Sequence, residues 1–300
     1  MKNIYLCFQM SILFALAPIH ARGQAWEQLA GIAGGVQAPA AVNPVAAVEP
    51  AAAELALSPV QKKRADMLIS VFENSTLAPQ YAYIENMHDG RGYTAGRAGF
   101  CSGCGDMLLV AERYAQLKPG NPLAKYLPRL TELARLSSAS TKGLEGFPAA
   151  WERAARDPLF RGAQDAVSDE LYYLPALEYS RQLGLQKDFS QIALYEAAIQ
   201  HGIGDDPDGL PAMIKKTSQA AEAPADGGDE KIWLEQFLKV RRATLAYAAD
   251  PETREAWAES VGRADAMLAI AAAGNMDFSG AITINPYGQK FIIPGTPLVN

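Results

Sequence analysis

Apolar residues at Val60, Met67, Leu68, Val71 and Phe72 recur at the spacing of one buried helix face. Ser58 followed by Pro59 marks the start of that helix, a serine at the cap and a proline at the first helical position. The pattern ends near Asn74-Ser75, which leaves Glu73 at the C-terminal end beside Phe72. Over residues 81–85 aromatic and smaller residues alternate, a short strand signal. Residues 89–96 (DGRGYTAG) are turn-rich, and Asp-Gly is a hairpin signal, so a small β-sheet is expected here. Beyond Asp106 the chain reads as helical, with patterns over 107–116, 148–156, 160–183, 189–201, 230–248 and 252–273. Residues 202–207 form a loop between helices. The tail from 275 to 300 is punctuated by Gly and Pro, with short apolar runs at 282–284 and 291–293. The elements predict an α+β fold, mainly α. The sequence contains no internal repeat, P-loop or dinucleotide-binding fingerprint.

The N-terminal part follows another pattern. Met1-Lys2-Asn3 gives a short positive start, an apolar run covers 4–18, and the small residues Ala21 and Gly23 flank a cleavage site. Residues 1–23 therefore read as a secretory signal peptide, with an uncleaved anchor as the alternative. The apolar run is too short to span a bilayer, so no membrane association is expected after cleavage. Residues 24–55 are rich in Ala, Pro, Val and Gly without a period that could build a core, and read as a flexible linker. The folded domain is expected over 56–300, secreted and monomeric.

With 49% hydrophobic and 20% charged residues, the 300-residue chain has an ordinary globular composition. It carries 27 basic and 33 acidic residues. Loss of Lys2 and Arg22 with the leader would leave a net charge of about −8. That balance disfavours nucleic acid, whose phosphates need basic patches, and favours cationic partners. Cys7 would leave with the leader. Cys101 and Cys104, in Cys-Ser-Gly-Cys, read either as a local disulfide or as two buried thiols. A redox pair would need a βαβ context that is missing. A zinc site would need two more ligands, which His20, His88 and His201 do not supply at recognisable spacing.

Glu73 and Asp89 are the candidate chemistry. Glycosidic bonds are hydrolysed by two carboxyl groups, one protonating the leaving oxygen and the other activating water or attacking the sugar. The end of a helix and burial beside Phe72 both favour a neutral acid at Glu73. Asp89 sits in a glycine- and hydroxyl-rich turn with Arg91 two residues on, a setting for an ionised base. On spacing alone the commoner reading is a solvated glutamate at a helix end and a turn aspartate.

From Glu73 onward the chain closely resembles the chitosanases of glycoside hydrolase family 46. The matching blocks are FENS around Glu73, YIENMHDGRGYTAGRAGFCSGCGDML, PGNPLAKYLP, AQDAVSDELYYLPA, IQHGIGDDPD, GGDEKIWLEQFLKVR and AGNMDF, in order over roughly 60–300. The resemblance implies a lysozyme-like fold, with two helical lobes flanking a cleft. It also implies internal cleavage of chitosan, a cationic β-1,4-linked glucosamine polymer, with inversion. Glu73 falls on the general acid, Asp89 on the general base and Thr94 on the residue that helps hold the attacking water. Asp106 falls on a carboxylate that binds a glucosamine amino group. Tyr83, Glu85, Arg91 and His201 fall on cleft positions near the substrate. Glu196, Arg241 and Arg263 fall on an ion network below the catalytic pair. No cofactor or metal is implied, since acid–base hydrolysis needs neither.

Three departures stand out. The segment between Glu73 and Asp89 is slightly shorter than in some members. Cys104 stands where many carry a small hydroxylated residue, so a bond to Cys101 would be a local feature. An acidic residue that supports binding in some members has no counterpart around Tyr247-Ala248. Two other functions stay in view: a hydrolase of chitin or peptidoglycan, and a catalytically silent chitosan-binding protein. The carboxylates at Glu85 and Asp106 weigh against the first, because neutral N-acetyl groups need apolar pockets. Retention of Glu73, Asp89 and Thr94 together weighs against the second.

Overall fold

A computed structural model of the protein describes residues 56–251 and 254–295. The expected signal peptide over 1–23 and linker over 24–55 lie outside the described residues.

Helix α1 (Pro59–Asn74) begins as the sequence dictates, with the Ser58 hydroxyl accepting from the N–H of Gln61 at 3.2 Å. It ends where Ser75 turns left-handed, with φ 50° and its N–H returned to the Val71 carbonyl. Strands β1 (Ile84–Asn86), β2 (Tyr93–Ala95) and β3 (Phe100–Cys101) follow as an antiparallel sheet. Its register sets Glu85 opposite Thr94, and Thr94 opposite Cys101. The strand expected over 81–85 forms three residues later. The Tyr81 carbonyl is taken by Trp151 Nε1 at 3.0 Å and Gln164 Nε2 at 2.9 Å, so this backbone bonds to side chains instead of a ladder.

The helical region contains α2 (Asp106–Leu117), α3 (Leu127–Arg135), α4 (Phe147–Ala154) and α5 (Pro158–Ser168). After α5 the chain continues through a widened π turn (Asp169–Tyr173) into α6 (Leu174–Gln182). Pro175 has no N–H, and its ring would strike the Leu171 carbonyl in a regular helix. The π turn relieves that clash, with the N–H of Leu174 reaching back five residues to the Asp169 carbonyl. Next come α7 (Asp188–His201), α8 (Leu210–Ser218) and α9 (Glu230–Ala246). The single helix expected over 252–273 is two, α10 (Arg254–Glu259) and α11 (Val261–Ala272). Ser260 breaks it by donating its hydroxyl to the Trp257 carbonyl at 2.8 Å, a local bond that competes with the helical ladder. The two apolar runs of the tail pair as a hairpin, β4 (Ile282–Ile284) with β5 (Phe291–Ile293).

Two mainly helical lobes flank a cleft. The sheet lies with α2–α5, where α2 packs on α3 and α5. The other lobe is built on α7, whose residues from Phe189 to His201 are all buried, and α7 packs against α1, α6, α8 and α9. Helix α1 packs on α7 and β5, then hands the chain over to β1. Its C-terminal end, carrying Glu73, is therefore the place where one lobe passes into the other.

Candidate active site

Glu73 is buried and forms an ion pair through Oε1 with Nη2 of Arg263, which projects from α11. Its Oε2 makes no hydrogen bond with a described residue. The Nε of Arg263 lies 3.1 Å from Oε1 of Glu196 on α7. Glu196 also takes Nη2 of Arg241, from α9, at 2.9 Å. Two carboxylates and two guanidiniums thus form one buried, charge-balanced chain. That balance is what makes their burial tolerable, since any member alone would carry a large desolvation cost. Burial works against the Arg263 cation, but Glu73, then Tyr287 and Glu196, hold its pKa above the ordinary arginine value.

Asp89 lies in the loop between β1 and β2. Its Oδ1 accepts from the Arg91 N–H at 3.1 Å, and its Oδ2 from Arg91 Nε at 2.9 Å. Nη2 of Arg91 completes a two-armed, charge-assisted grip. The tight turn depends on Gly92, at φ 81°, where an added Cβ would come within 2.3 Å of Ser102 Oγ. Thr94 is fully buried, and its Oγ1 has no hydrogen-bond partner among the described residues. A buried hydroxyl in that state calls for a water or ligand. Opposite it, Glu85 is exposed and accepts from Tyr83 Oη at 3.1 Å. Burial, then the Glu85 charge, raise the Tyr83 pKa and keep that phenol a donor. Asp106 opens α2. Its Oδ1 accepts from the N–H groups of Cys101 at 2.7 Å and Met107 at 2.8 Å. Cys101 and Cys104 are joined by a disulfide, with Cα atoms 5.2 Å apart.

Residues 67–282 match the family model described as glycosyl hydrolase family 46. The chain belongs to glycosyl hydrolase family 46. A chitosanase of Bacillus subtilis (strain 168) is 48% identical over 236 residues, covering 78% of this chain and 85% of that one. A chitosanase of Streptomyces sp. (strain N174) is 39% identical over 239 residues, covering 78% and 82%. Among solved structures, the family 46 chitosanase of Gynuella sunshinyii in complex with chitotetraose superposes with a TM-score of 0.75 and 47% identity, covering 80% of this chain and 100% of that one. A mutant chitosanase from Bacillus subtilis MY002 complexed with 6 GlcN gives 0.74 and 46%, covering 79% and 100%.

In this family 46 chain the expected site residues fall into two groups. Glu85, Asp89, Thr94 and Asp106 gather around the sheet, and Arg91 serves Asp89 directly. Glu73 joins Glu196, Arg241 and Arg263 in the ion network. His201, expected near the substrate, is instead wholly buried beneath the site. It accepts from Arg241 and stacks edge-on against Trp257. Two contributors escaped the sequence reading. Gln200 donates from Nε2 to Ser260 Oγ at 2.9 Å and accepts from Arg241. Tyr287 donates its hydroxyl to the Phe72 carbonyl at 2.9 Å, capping the end of the Glu73 helix from 215 residues away. No local pattern could have found that contact. Among the described residues, Cys101, Cys104 and Asp106 bring possible ligand atoms within 4.8 Å of one another. With both sulfurs in a disulfide they are not thiolate ligands.

Proposed function

We propose that the chain is a secreted, monomeric endo-chitosanase that cleaves β-1,4 linkages between glucosamine units with inversion. The named relatives are chitosanases, and two of the matching structures hold chitotetraose and six GlcN units. The observation that carries the reading is that the two carboxylates are each pinned by a separate guanidinium. Arg263 holds Glu73 from the helical side, and Arg91 holds Asp89 from the sheet side.

Glu73 delivers its proton to the glycosidic oxygen as the C1–O bond breaks. Arg263 is shared between Glu73 and Glu196. Asp89 takes a proton from water, whose oxygen attacks C1 from the opposite face. The Thr94 hydroxyl supplies the partner that this water needs. Inversion asks for carboxyl groups roughly 6.5–9.5 Å apart, leaving room for that water. Asp106 and Glu85 receive the ammonium groups of neighbouring sugars through charge-assisted hydrogen bonds, with Tyr83 alongside. Arg91 contributes by fixing the base, and His201 by supporting Arg241.

Time-resolved proton NMR with a glucosamine hexamer tests the proposal. Early α-anomeric reducing ends are expected. Early β-anomer would make Asp89 a nucleophile, and binding without new chain ends would leave a silent chitosan-binding protein.

A further inference from the structure

A second charged cluster sits toward the other end of α1. Arg97, just past β2, is buried and divides its guanidinium between two carboxylates. Nη2 meets Asp66 Oδ1 at 2.6 Å, and Nη1 meets Asp165 Oδ1 at 2.5 Å. Asp66, on α1, also pairs with Lys62 at 3.1 Å and receives the Tyr195 hydroxyl of α7 at 3.3 Å. Lys62 reaches on to Asp169 at 2.8 Å, and Tyr81 Oη donates to Asp165 at 2.9 Å. The Arg97 backbone is fixed as well, its N–H donating to Gln164 Oε1 at 3.1 Å. Burial opposes the Arg97 charge, but Tyr195, Asp66 and Asp165 outweigh it and keep its pKa well above the ordinary value.

Position along the chain gives this cluster its meaning. Asp66 precedes Glu73 by seven residues on one helix, about two turns, or roughly 10 Å of rigid rod. Arg97 follows Thr94 by three residues, in the turn that joins β2 to β3 of the sheet whose first loop carries Asp89. The Arg97–Asp66 pair joins those two bodies. We propose that it is a positioning clamp that sets the separation of Glu73 from Asp89 and Thr94, a role that rests on the reading of those three residues given above. Misplacement of reacting groups by about 1 Å can cost on the order of 100-fold in rate. Ground-state binding through Asp106 is held separately, by the Cys101 and Met107 N–H groups. Loss of the clamp therefore appears in kcat and spares KM.

The test is steady-state kinetics of Asp66→Asn and Arg97→Lys on a glucosamine hexamer, well below each variant's melting temperature. A kcat lowered at least about tenfold with KM within about twofold is expected for both. Arg97→Lys keeps charge and bulk but loses the two-armed grip, so it decides the matter if Asp66→Asn does not fold. Unchanged kcat in Arg97→Lys would overturn the clamp, as would a KM that rises in step with the loss of kcat. Absence of turnover in the unaltered protein would overturn the reading of the site, and the clamp with it.

Discussion

Arg241 donates its Nε to the Nε2 of His201 at 3.3 Å. An accepting Nε2 leaves the imidazole proton on Nδ1, which lies 3.0 Å from the Asp208 carbonyl and donates to it. Burial, then the charges of Arg241 and Arg263, hold this histidine well below its ordinary pKa, so it is neutral in the folded protein. In the unfolded chain it protonates near about pH 6.5. The unfolded state thus binds the extra proton, and the stability involved is fully present above that pH and lost below it. The slope is up to about 1.4 kcal/mol per pH unit. His201→Gln keeps a donor and an acceptor, and is expected to flatten the pH dependence by that amount between about pH 5 and 6.5. Urea unfolding at a series of pH values reads it, and an unchanged slope would refute a neutral His201.

On sequence alone, Glu73→Gln is expected to stop turnover and spare the fold. The ion pair to Arg263 changes the second half of that expectation. Loss of the proton donor should lower kcat by about 100-fold or more. Stability should fall too, though not catastrophically, because Arg263 keeps Glu196. Kinetics and thermal melting of the same preparation separate the two effects. Appreciable residual turnover would remove Glu73 from the acid role.

Glu196→Gln should be worse for the fold than Glu73→Gln. Glu196 is the carboxylate common to Arg241 and Arg263, and both guanidiniums lie buried. Removing it leaves buried charge uncompensated, at a cost of about 3–5 kcal/mol. Urea denaturation measures the loss. A change below about 1 kcal/mol would mean that the network is not coupled as drawn.

The Cys101–Cys104 bridge closes a very short loop. Replacing both cysteines by serine should therefore cost no more than about 2 kcal/mol of stability. Its effect on Asp106 should be larger, since the Cys101 N–H holds Oδ1 of that carboxylate. A raised KM for chitosan oligomers with little change in kcat is expected. Titration of the unfolded protein lacking residues 1–23, and so Cys7, should find no free thiol, and two would rule out the bond.

Tyr287→Phe removes one hydroxyl and nothing else. The Phe72 carbonyl at the end of α1 then loses its partner. The expected loss is about 1–2 kcal/mol, read by urea unfolding. Because the neighbouring residue is Glu73, kcat should fall along with it. An unchanged melting curve would show that the contact carries no free energy.

Local signals made part of this legible in the sequence. Ser58-Pro59, the apolar stripe of α1 and the Asp-Gly turn each act over a few residues, and each element forms where its signal stands. Arg91, two residues from Asp89, could be read as its partner from the turn alone, whereas the Arg263 that pairs with Glu73 lies 190 residues away. What the sequence hid depends on contacts between distant segments. The strand slips from 81 to 84 because Trp151 and Gln164 claim the Tyr81 carbonyl. The helix over 252–273 breaks at Ser260 because that hydroxyl bonds Trp257 and receives Gln200. His201 falls on a position expected near the substrate, and only the packing of Trp257 and Arg241 shows it buried. Arg97 and Asp66 sit in unremarkable helical and turn contexts, and their pairing appears only once the lobes meet.

Deleting one residue from the widened turn at Asp169–Tyr173 would rejoin α5 and α6 as one regular ladder. Everything after it would swing by about 100° about the helix axis. Asp169 would leave Lys62, and the Tyr173 hydroxyl would leave the Leu57 N–H that it now receives at 2.8 Å. The turn works as a phase shifter, letting one continuous rod present α5 to α2 and α6 to α7. Surface loops in general tolerate gained or lost residues, but at this point along the rod the protein has to count.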